Sequence, residues 1–566
     1  MLQNALREYD LVAADASTTA AAAATRLAVD VRRLPWVRPL AGEYAANFAS
    51  VAPLYAGDPQ SPDAWREVSA RVRSHPGHRD HVAEAIAAQQ RRRDAPEAAR
   101  TAAALLANPD TVAVVTGQQA GVFGGPLYTV LKAVSAIQLA RRAAQTLGTP
   151  VVPIFWVAAE DHDWAEIASV TVLDAQLQPR TVAVPPPEGA GERPVGSLDL
   201  DERVTGTLDE LAAALAPTEF TPWLLDSLRA AYRPGVGVAD AFARWIEGLL
   251  GSHGLIVFDS GDQSVKSLVS EVFRRELATP GHTAALATTA GAEMAARGHS
   301  PQVVPQEDGL SLFRIDPATG ARTPIRCQGD KFVAGETTLS AEDLEKELTQ
   351  APDRFSPNVL LRPIVQDTLF PTICYVAGPS ELAYFGQLRK VYEHFGRPMP
   401  LVHPRSSATL VDSATIRFLN KYDVPLEDLQ PQDEAALNRL LQAQLPPTVD
   451  AAFSAAGQAM SEKMQDVVDA VASVDPTLAG AAKNTFGKME HELKALQGKM
   501  IQAAKRRDDT LRRQFTRAQG QTFPQGHPQE RSLAVVYFLN QYGPALVDRL
   551  LEELPIDPGQ HWVLSI

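Results

Sequence analysis

The chain has 566 residues, 45% hydrophobic and 21% charged, with a formal charge of −14. Such a length calls for about two to four folding units, and the negative balance argues against general affinity for nucleic acid or anionic membranes. Cys327 and Cys374 lie too far apart in sequence to suggest a disulfide framework; no apolar run reaches membrane-spanning length and the N-terminus lacks a signal-like segment, so the expected setting is the cytoplasm.

Residues 1 to about 108 read as mostly helical, including the polar start MLQNALREYDL and the low-complexity run Thr18–Thr25; Gln90–Asp94 reads as a solvated helix face. Thr111–Thr116 is a β-branched apolar run, the pattern of a buried strand. Gly117, Gly121, Gly124 and Gly125 then punctuate a loop, and Pro126 suits the first turn of the helix that carries Leu127, Val130, Leu131, Val134 and Ile137. Strand, glycine loop and helix N-terminus together can seat a nucleotide or another anion, because free N–H groups converge there. The loop fits neither GxGxxG nor GxxxxGK[ST], so it names no cofactor. The competing reading is a turn that merely lets strand and helix pack closely.

Thr149–Ala158 reads as a second buried strand, ending in Glu160-Asp161-His162-Asp163. Two strands joined by one helix make a parallel pair, and ligands bind beyond the carboxyl ends of such strands at a switch point. The glycine loop and the acidic cluster both sit at those ends. The cluster suits an amine, a bound Mg²⁺ or a proton transfer; a capping network around a histidine is the alternative, and no resident metal is assigned. Residues from about 173 to 252 read as an insertion with helices at Leu208–Leu215 and Phe242–Leu250. Gly254–Asp259 resumes the core as a strand, and a stretch from about 280 to 355 reads as a second insertion with β texture at Leu310–Ile315 and Lys331–Val333.

Ile373–Ala377 is strand-like, and Gly378-Pro379-Ser380-Glu381 starts a helix with Ser380 as its expected N-cap. Met399–Val402 is a further strand leading to Arg405. Arg362 and Arg405 are candidates for gripping a carboxylate or phosphate through the planar guanidinium fork, with an interdomain ion pair as the alternative. Beyond about Ala408 helices are expected. Phe453, Met460, Met464, Val467 and Val471 keep one apolar rhythm; after Asp475-Pro476, Phe486, Met489, Leu493, Leu496 and Met500 keep another, as in an antiparallel coiled-coil hairpin. Trp562–Ile566 reads as a strand that docks on the core. The fold class is therefore α/β, a parallel-sheet core (residues 1–408, insertions included), a helical hairpin (409–520) and a returning segment (521–566).

Five blocks, TGQQAGVFGGPLYTVLKA (Thr116–Ala133), PIFWVAAEDHDW (Pro153–Trp164), SPNVLLRPIVQDTLFPT (Ser356–Thr372), GPSELAYF (Gly378–Phe385) and FPQGHPQERS (Phe523–Ser532), resemble in order the signature blocks of the bacillithiol biosynthesis cysteine-adding enzyme family. The resemblance implies a Rossmann-like core with two connecting-peptide insertions, akin to class I aminoacyl-tRNA synthetases, and a coiled coil used to form a homodimer. It implies the last step of bacillithiol synthesis, joining L-cysteine to glucosaminyl malate. The family loop often has Thr where this chain has Gly124, and neither a HIGH nor a KMSKS run is present, so adenylate chemistry is not inherited automatically.

Joining a carboxylate to an amine requires activating the carboxylate, so ATP or another nucleotide is expected, with Mg²⁺ allowed, through either an acyl adenylate or an acyl phosphate. The expected binding residues around the loop are Thr116, Gly117, Gln118, Gln119, Gly121, Gly125 and Tyr128, with Glu160, Arg362 and Arg405 opposite. Asp161, His162 or Asp163 would bind the cysteine ammonium or deprotonate the attacking amine, and Arg405 would neutralise the malyl carboxylate. The alternative is a catalytically idle, synthetase-like scaffold or nucleotide-binding regulator.

Overall fold

The computed structural model describes residues 26–75, 77–444, 447–507 and 509–566; the helical expectations for Met1–Leu11 and Thr18–Thr25 lie outside them. Its centre is a five-stranded sheet formed by β1 (Val112–Gln118), β2 (Val151–Val157), β3 (Ile256–Asp259), β4 (Thr372–Ala377) and β5 (Leu401–Pro404). The order is β3-β2-β1-β4-β5 and every pairing is parallel. These strands are apolar along nearly their whole length because helices cover both faces; Val112, Val114, Ile154, Val257 and Val376 are fully buried. The chain moves outward from β1 to β2 and β3, then returns to the other side of β1 for β4 and β5. The switch point therefore lies between β1 and β4, where a Rossmann-like sheet opens a crevice.

Helix α1 (Leu127–Leu147) follows β1 and packs on β1 and β2. Between β2 and β3 lie the hairpin Ser169–Leu173/Pro179–Ala183 and two helices, Arg203–Ala214 and Thr221–Ala231. The next helix, Val238–Leu250, was expected within the insertion; it packs instead on β3 and on the turn after β1, with Phe242 and Ile246 fully buried. Between β3 and β4 comes a five-stranded antiparallel sheet that includes Gly309–Ile315, Arg322–Gln328 and Phe355–Pro357.

Where helix was expected just past Ala408, Ser407–Val411 is a strand. It lies parallel to Gln560–Ser565, which pairs on its other side with Arg26–Asp30, so the last strand is the middle of a small sheet. Trp562 and its neighbours dock here, and Val563 and Leu564 are at most 1% exposed. Helices Ser413–Tyr422 and Asp509–Thr522 pack on one another at the base of the hairpin, whose arms are α2 (Pro447–Val474) and α3 (Leu478–Arg507). Each arm is about 40 Å long at helical rise. The turn between them is set by Asp475, whose carboxylate accepts from the Thr477 N–H at 2.9 Å and its hydroxyl at 2.8 Å.

Candidate active site

The loop that leaves β1 divides into an open half and a closed half. Gly117 permits close strand approach, since a Cβ there would sit 3.0 Å from the Trp156 carbonyl oxygen. Past Gln119 the chain folds into a tight turn, Val122–Gly124, in which Phe123, Gly124 and Gly125 all have positive φ. The turn consumes its own donors: the Gly124 N–H reaches the Gly121 carbonyl and the Tyr232 hydroxyl, and the Gly125 N–H reaches the Val122 carbonyl. The C-terminal segment then plugs it. Leu127 N–H donates to Leu533 O at 2.9 Å, and Val535 N–H donates to Gly125 O at 3.1 Å. The helix N-terminus expected to hold a phosphate is thus capped by protein, and neither Gly121 nor Gly125 lines the cavity described below. The glycines serve packing: a Cβ on Gly124 would lie 2.2 Å from the Trp245 ring. The missing threonine hydroxyl at this position is replaced by an indole, not by empty space.

The open half borders a cavity of about 570 Å³ at the switch point, shared by Gly117, Gln118 and Gln119 from the β1 loop and by Glu160, Asp161 and His162 from the β2 loop. Thr116 lies behind it, its hydroxyl donating to Val376 O on β4 at 3.0 Å, and it ties the two strands flanking the crevice. The Gln118 amide donates to Gln119 Oε1 and to the Tyr128 hydroxyl, and Gln119 in turn donates to Glu166 at 2.7 Å. Lys132, on α1 and 4% exposed, was not anticipated. Its ammonium donates to Gly117 O at 2.8 Å and Gln118 Oε1 at 2.9 Å and pairs with Glu381 at 2.6 Å. Burial draws the Lys132 pKa below the ordinary lysine range, with Glu381 opposing.

In the acidic loop the residues separate by role. Glu160 is buried and ion-paired to Lys266. Asp161 accepts the His162 backbone N–H at 2.8 Å and faces the cavity. Asp163, expected in the site, turns away from the cavity and caps the helix Trp164–Ile167, accepting from Glu166 N–H at 3.1 Å; Glu166 lines the cavity wall and Asp163 does not. Burial, and then the charges of Asp161 and Asp163, push the Glu166 carboxyl above its usual range. His162 Nδ1 lies 3.1 Å from Arg322, a residue of the inserted antiparallel sheet.

The β4 side is basic and aromatic. Gly378, rather than Ser380, is the N-cap of the helix Pro379–Phe385. Glu381 reaches back to the Gly378 N–H at 2.6 Å and accepts from the Tyr375 hydroxyl at 2.7 Å. Burial alone would raise the Glu381 carboxyl, but Lys132 and these donors hold it below the carboxylate range. Arg362 donates to Gln366 and to the Tyr384 hydroxyl at 2.8 Å, with no carboxylate within ion-pair distance among the described residues. Arg405 also lines the cavity, but its fork is filled: both terminal nitrogens donate to Glu530, at 2.8 and 2.6 Å, in a pair about 5% exposed. The expected grip on a substrate carboxylate is therefore already closed on a carboxylate of the chain's own. Arg531, one residue along, is exposed beside Tyr128 and has no hydrogen-bonded or ion-paired side-chain partner among the described residues.

The cavity thus has the carboxylates of the β2 loop at one end, with Arg322 beside them, and the guanidinium groups of Arg362 and Arg531 at the β4 end, with Glu381 paired to Lys132. Residues 27–406 match the family model described as Bacillithiol biosynthesis BshC, N-terminal Rossmann-like domain, and residues 408–566 match its C-terminal coiled-coil domain. A protein of Salinibacter ruber is 36% identical over 529 residues, covering 93% of this chain and 95% of its own. Proteins of Koribacter versatilis (34% over 547 residues; 95% and 99%) and Symbiobacterium thermophilum (34% over 535; 91% and 95%) are similar over the same span. All three carry the name "Putative cysteine ligase BshC". By similarity along both domains, the chain belongs to the BshC family of bacillithiol biosynthesis.

Proposed function

We propose that this protein is a ligase that forms the amide bond between the carboxylate of L-cysteine and the amine of glucosaminyl malate, the last step of bacillithiol synthesis, at the expense of a nucleoside triphosphate. The observation that carries the reading is the single cavity into which the β1 and β2 loops both open, lined both by carboxylates of the β2 loop and by the guanidinium groups of Arg362 and Arg531. In water the carboxylate and the ammonium form a salt, so the carboxylate must first gain a leaving group. The amine then attacks, the leaving group departs and the amine proton passes to a base. Arg362 and Arg531 suit the two malyl carboxylates, and Asp161 suits the cysteine ammonium. Gln118 and Gln119 orient the bound groups by hydrogen bonds. Lys132, held at the end of β1, faces the transferred phosphoryl or carboxyl oxygens. A Mg²⁺ ion arriving with the nucleotide would neutralise phosphate charge.

Incubating the purified full chain with cysteine, glucosaminyl malate and ATP should yield the amide product by mass spectrometry. Release of AMP or of ADP then distinguishes an acyl adenylate from an acyl phosphate. A folded protein that turns over none of the three would be the idle scaffold instead. The hairpin supports a homodimer in the same reading: Val467, Val474, Met489 and Leu496 are 41–83% exposed along its arms, an apolar surface that a second copy would cover. Sedimentation of the full chain at the monomer mass would remove that part.

A further inference from the structure

Arg322 is the one cavity residue through which the inserted antiparallel sheet touches the acidic loop by hydrogen bond among the described residues. Its guanidinium is fixed on every side. Nε donates to Ser356 Oγ at 2.9 Å, Nη2 donates to Pro357 O at 2.9 Å, and the plane lies 3.6 Å over the Phe313 ring. The side chain is 6% exposed, and its closest carboxylate, Asp161, is 4.0 Å away. The remaining Nη1–H meets His162 Nδ1 at 3.1 Å.

A guanidinium has five N–H donors and no acceptor, so at this contact the imidazole nitrogen must accept. Nδ1 therefore carries a lone pair, and the ring hydrogen resides on Nε2. The alternative partner, Asp161 Oδ1, is 3.7 Å from Nδ1, beyond hydrogen-bond reach. Nε2 has no protein partner among the described residues, and the side chain, 35% exposed, borders the cavity.

From this geometry we infer that Arg322 is a positioning residue that holds His162 as the Nε2–H tautomer, so that His162 acts as a hydrogen-bond donor to an anionic oxygen of the acyl or phosphoryl group and not as the general base. The inference rests on the ligase reading of this cavity and refines it: proton removal from the amine falls to Glu166, and the inserted sheet becomes part of the catalytic apparatus. No proton is gained or lost by His162 during the reaction. Its Nε2–H strengthens one contact as charge builds on the oxygen.

The test uses the full chain grown on isotope-labelled histidine, with the His162 ring signals assigned by their loss in His162→Gln. At neutral pH the expected nitrogen pattern is that of a neutral Nε2–H ring. Arg322→Gln should convert it to a mixture of tautomers and lower kcat with little change in KM; Arg322→Met, which removes the donor, serves where Gln impairs folding. His162→Ala should lower kcat by about 100-fold, the usual loss of one oxyanion donor. His162→Gln, which donates but takes no proton, should recover most of that loss. A wild-type ring that is Nδ1–H or doubly protonated overturns the inference, as does a Gln variant as slow as Ala. If no ligation occurs in any form, the proposed function fails while the spectrum still decides the tautomer.

Discussion

The loops after β1 and β2 leave neighbouring strands of one sheet, yet the first is mostly packed shut and the second stays open. The β1 loop folds over its own N–H groups and is stoppered by Leu533–Val535, with Trp245 filling the space a side chain at Gly124 would need. The β2 loop buries Ala159 and Glu160, the latter against Lys266, and leaves Asp161, His162 and the nearby Glu166 on the cavity wall. Backbone N–H groups can bind a ligand only where the chain has not already satisfied them. The contrast teaches that glycine past Gln119 serves proximity between elements, while the groups left facing the cavity are mostly long side chains around its rim.

If that contrast is right, changes on the closed side should register as lost stability and changes on the open side as altered turnover. The largest effect is expected at Glu530, beside the stopper. Glu530→Gln leaves Arg405 charged and buried without its counter-ion, which should cost about 3–5 kcal/mol in denaturant unfolding. The same pair fixes a pH dependence. Burial alone would raise the Glu530 carboxyl, but Arg405 outweighs it and holds the group at about 2, against 4.5 ordinarily. Its contribution is therefore complete above pH 4.5 and is lost as pH falls toward 2; the Gln variant should show a flatter acid limb over that window.

Next comes Gly124→Thr, where positive φ and contact with Trp245 combine. A loss of about 3 kcal/mol is expected, with nucleotide affinity unchanged in whatever fraction stays folded. A variant of full stability with weakened nucleotide binding would break the comparison and return the loop to a ligand role. On the open side, Arg531→Met should leave the unfolding midpoint nearly unchanged and raise the KM for glucosaminyl malate by about 10- to 100-fold, the worth of a charged hydrogen bond. The smallest effect belongs to Asp163→Ala, which removes a helix cap for about 1 kcal/mol and should leave kcat as it is.

Much of this architecture can be read directly from the chain. Thr111–Thr116 and Thr149–Ala158 are apolar runs of strand length with a helix-period segment between them, which fixes a parallel pair and places both loops at one edge. The closed loop was not legible, because its state depends on Trp245 and Leu533–Val535, far along the chain, and glycine spacing is the same for a cradle and for a close-packed turn. Lys132 did leave a signal: it is the lone charge in the mostly buried helical run from Leu127 to Ala140. Glu381 was hidden in what read as helix-start chemistry. Arg322 and Arg531 carried no local mark, since a guanidinium's meaning depends on whether the fold brings it a carboxylate. Arg405 shows the converse, a residue in the expected place whose partner had already been supplied by the fold.

The small sheet that joins Arg26–Asp30, Gln560–Ser565 and Ser407–Val411 carries a kinetic consequence. Its middle strand is also its most distant in sequence from the first, so closure must bring together segments separated by nearly the whole described chain, an entropically slow event compared with forming α1 or the hairpin. The stopper over the β1 turn lies on the same returning segment. Refolding should therefore pass through a species in which the central sheet is assembled while the mouth of the crevice is still unfinished, and ligand-binding competence should emerge with the slowest phase.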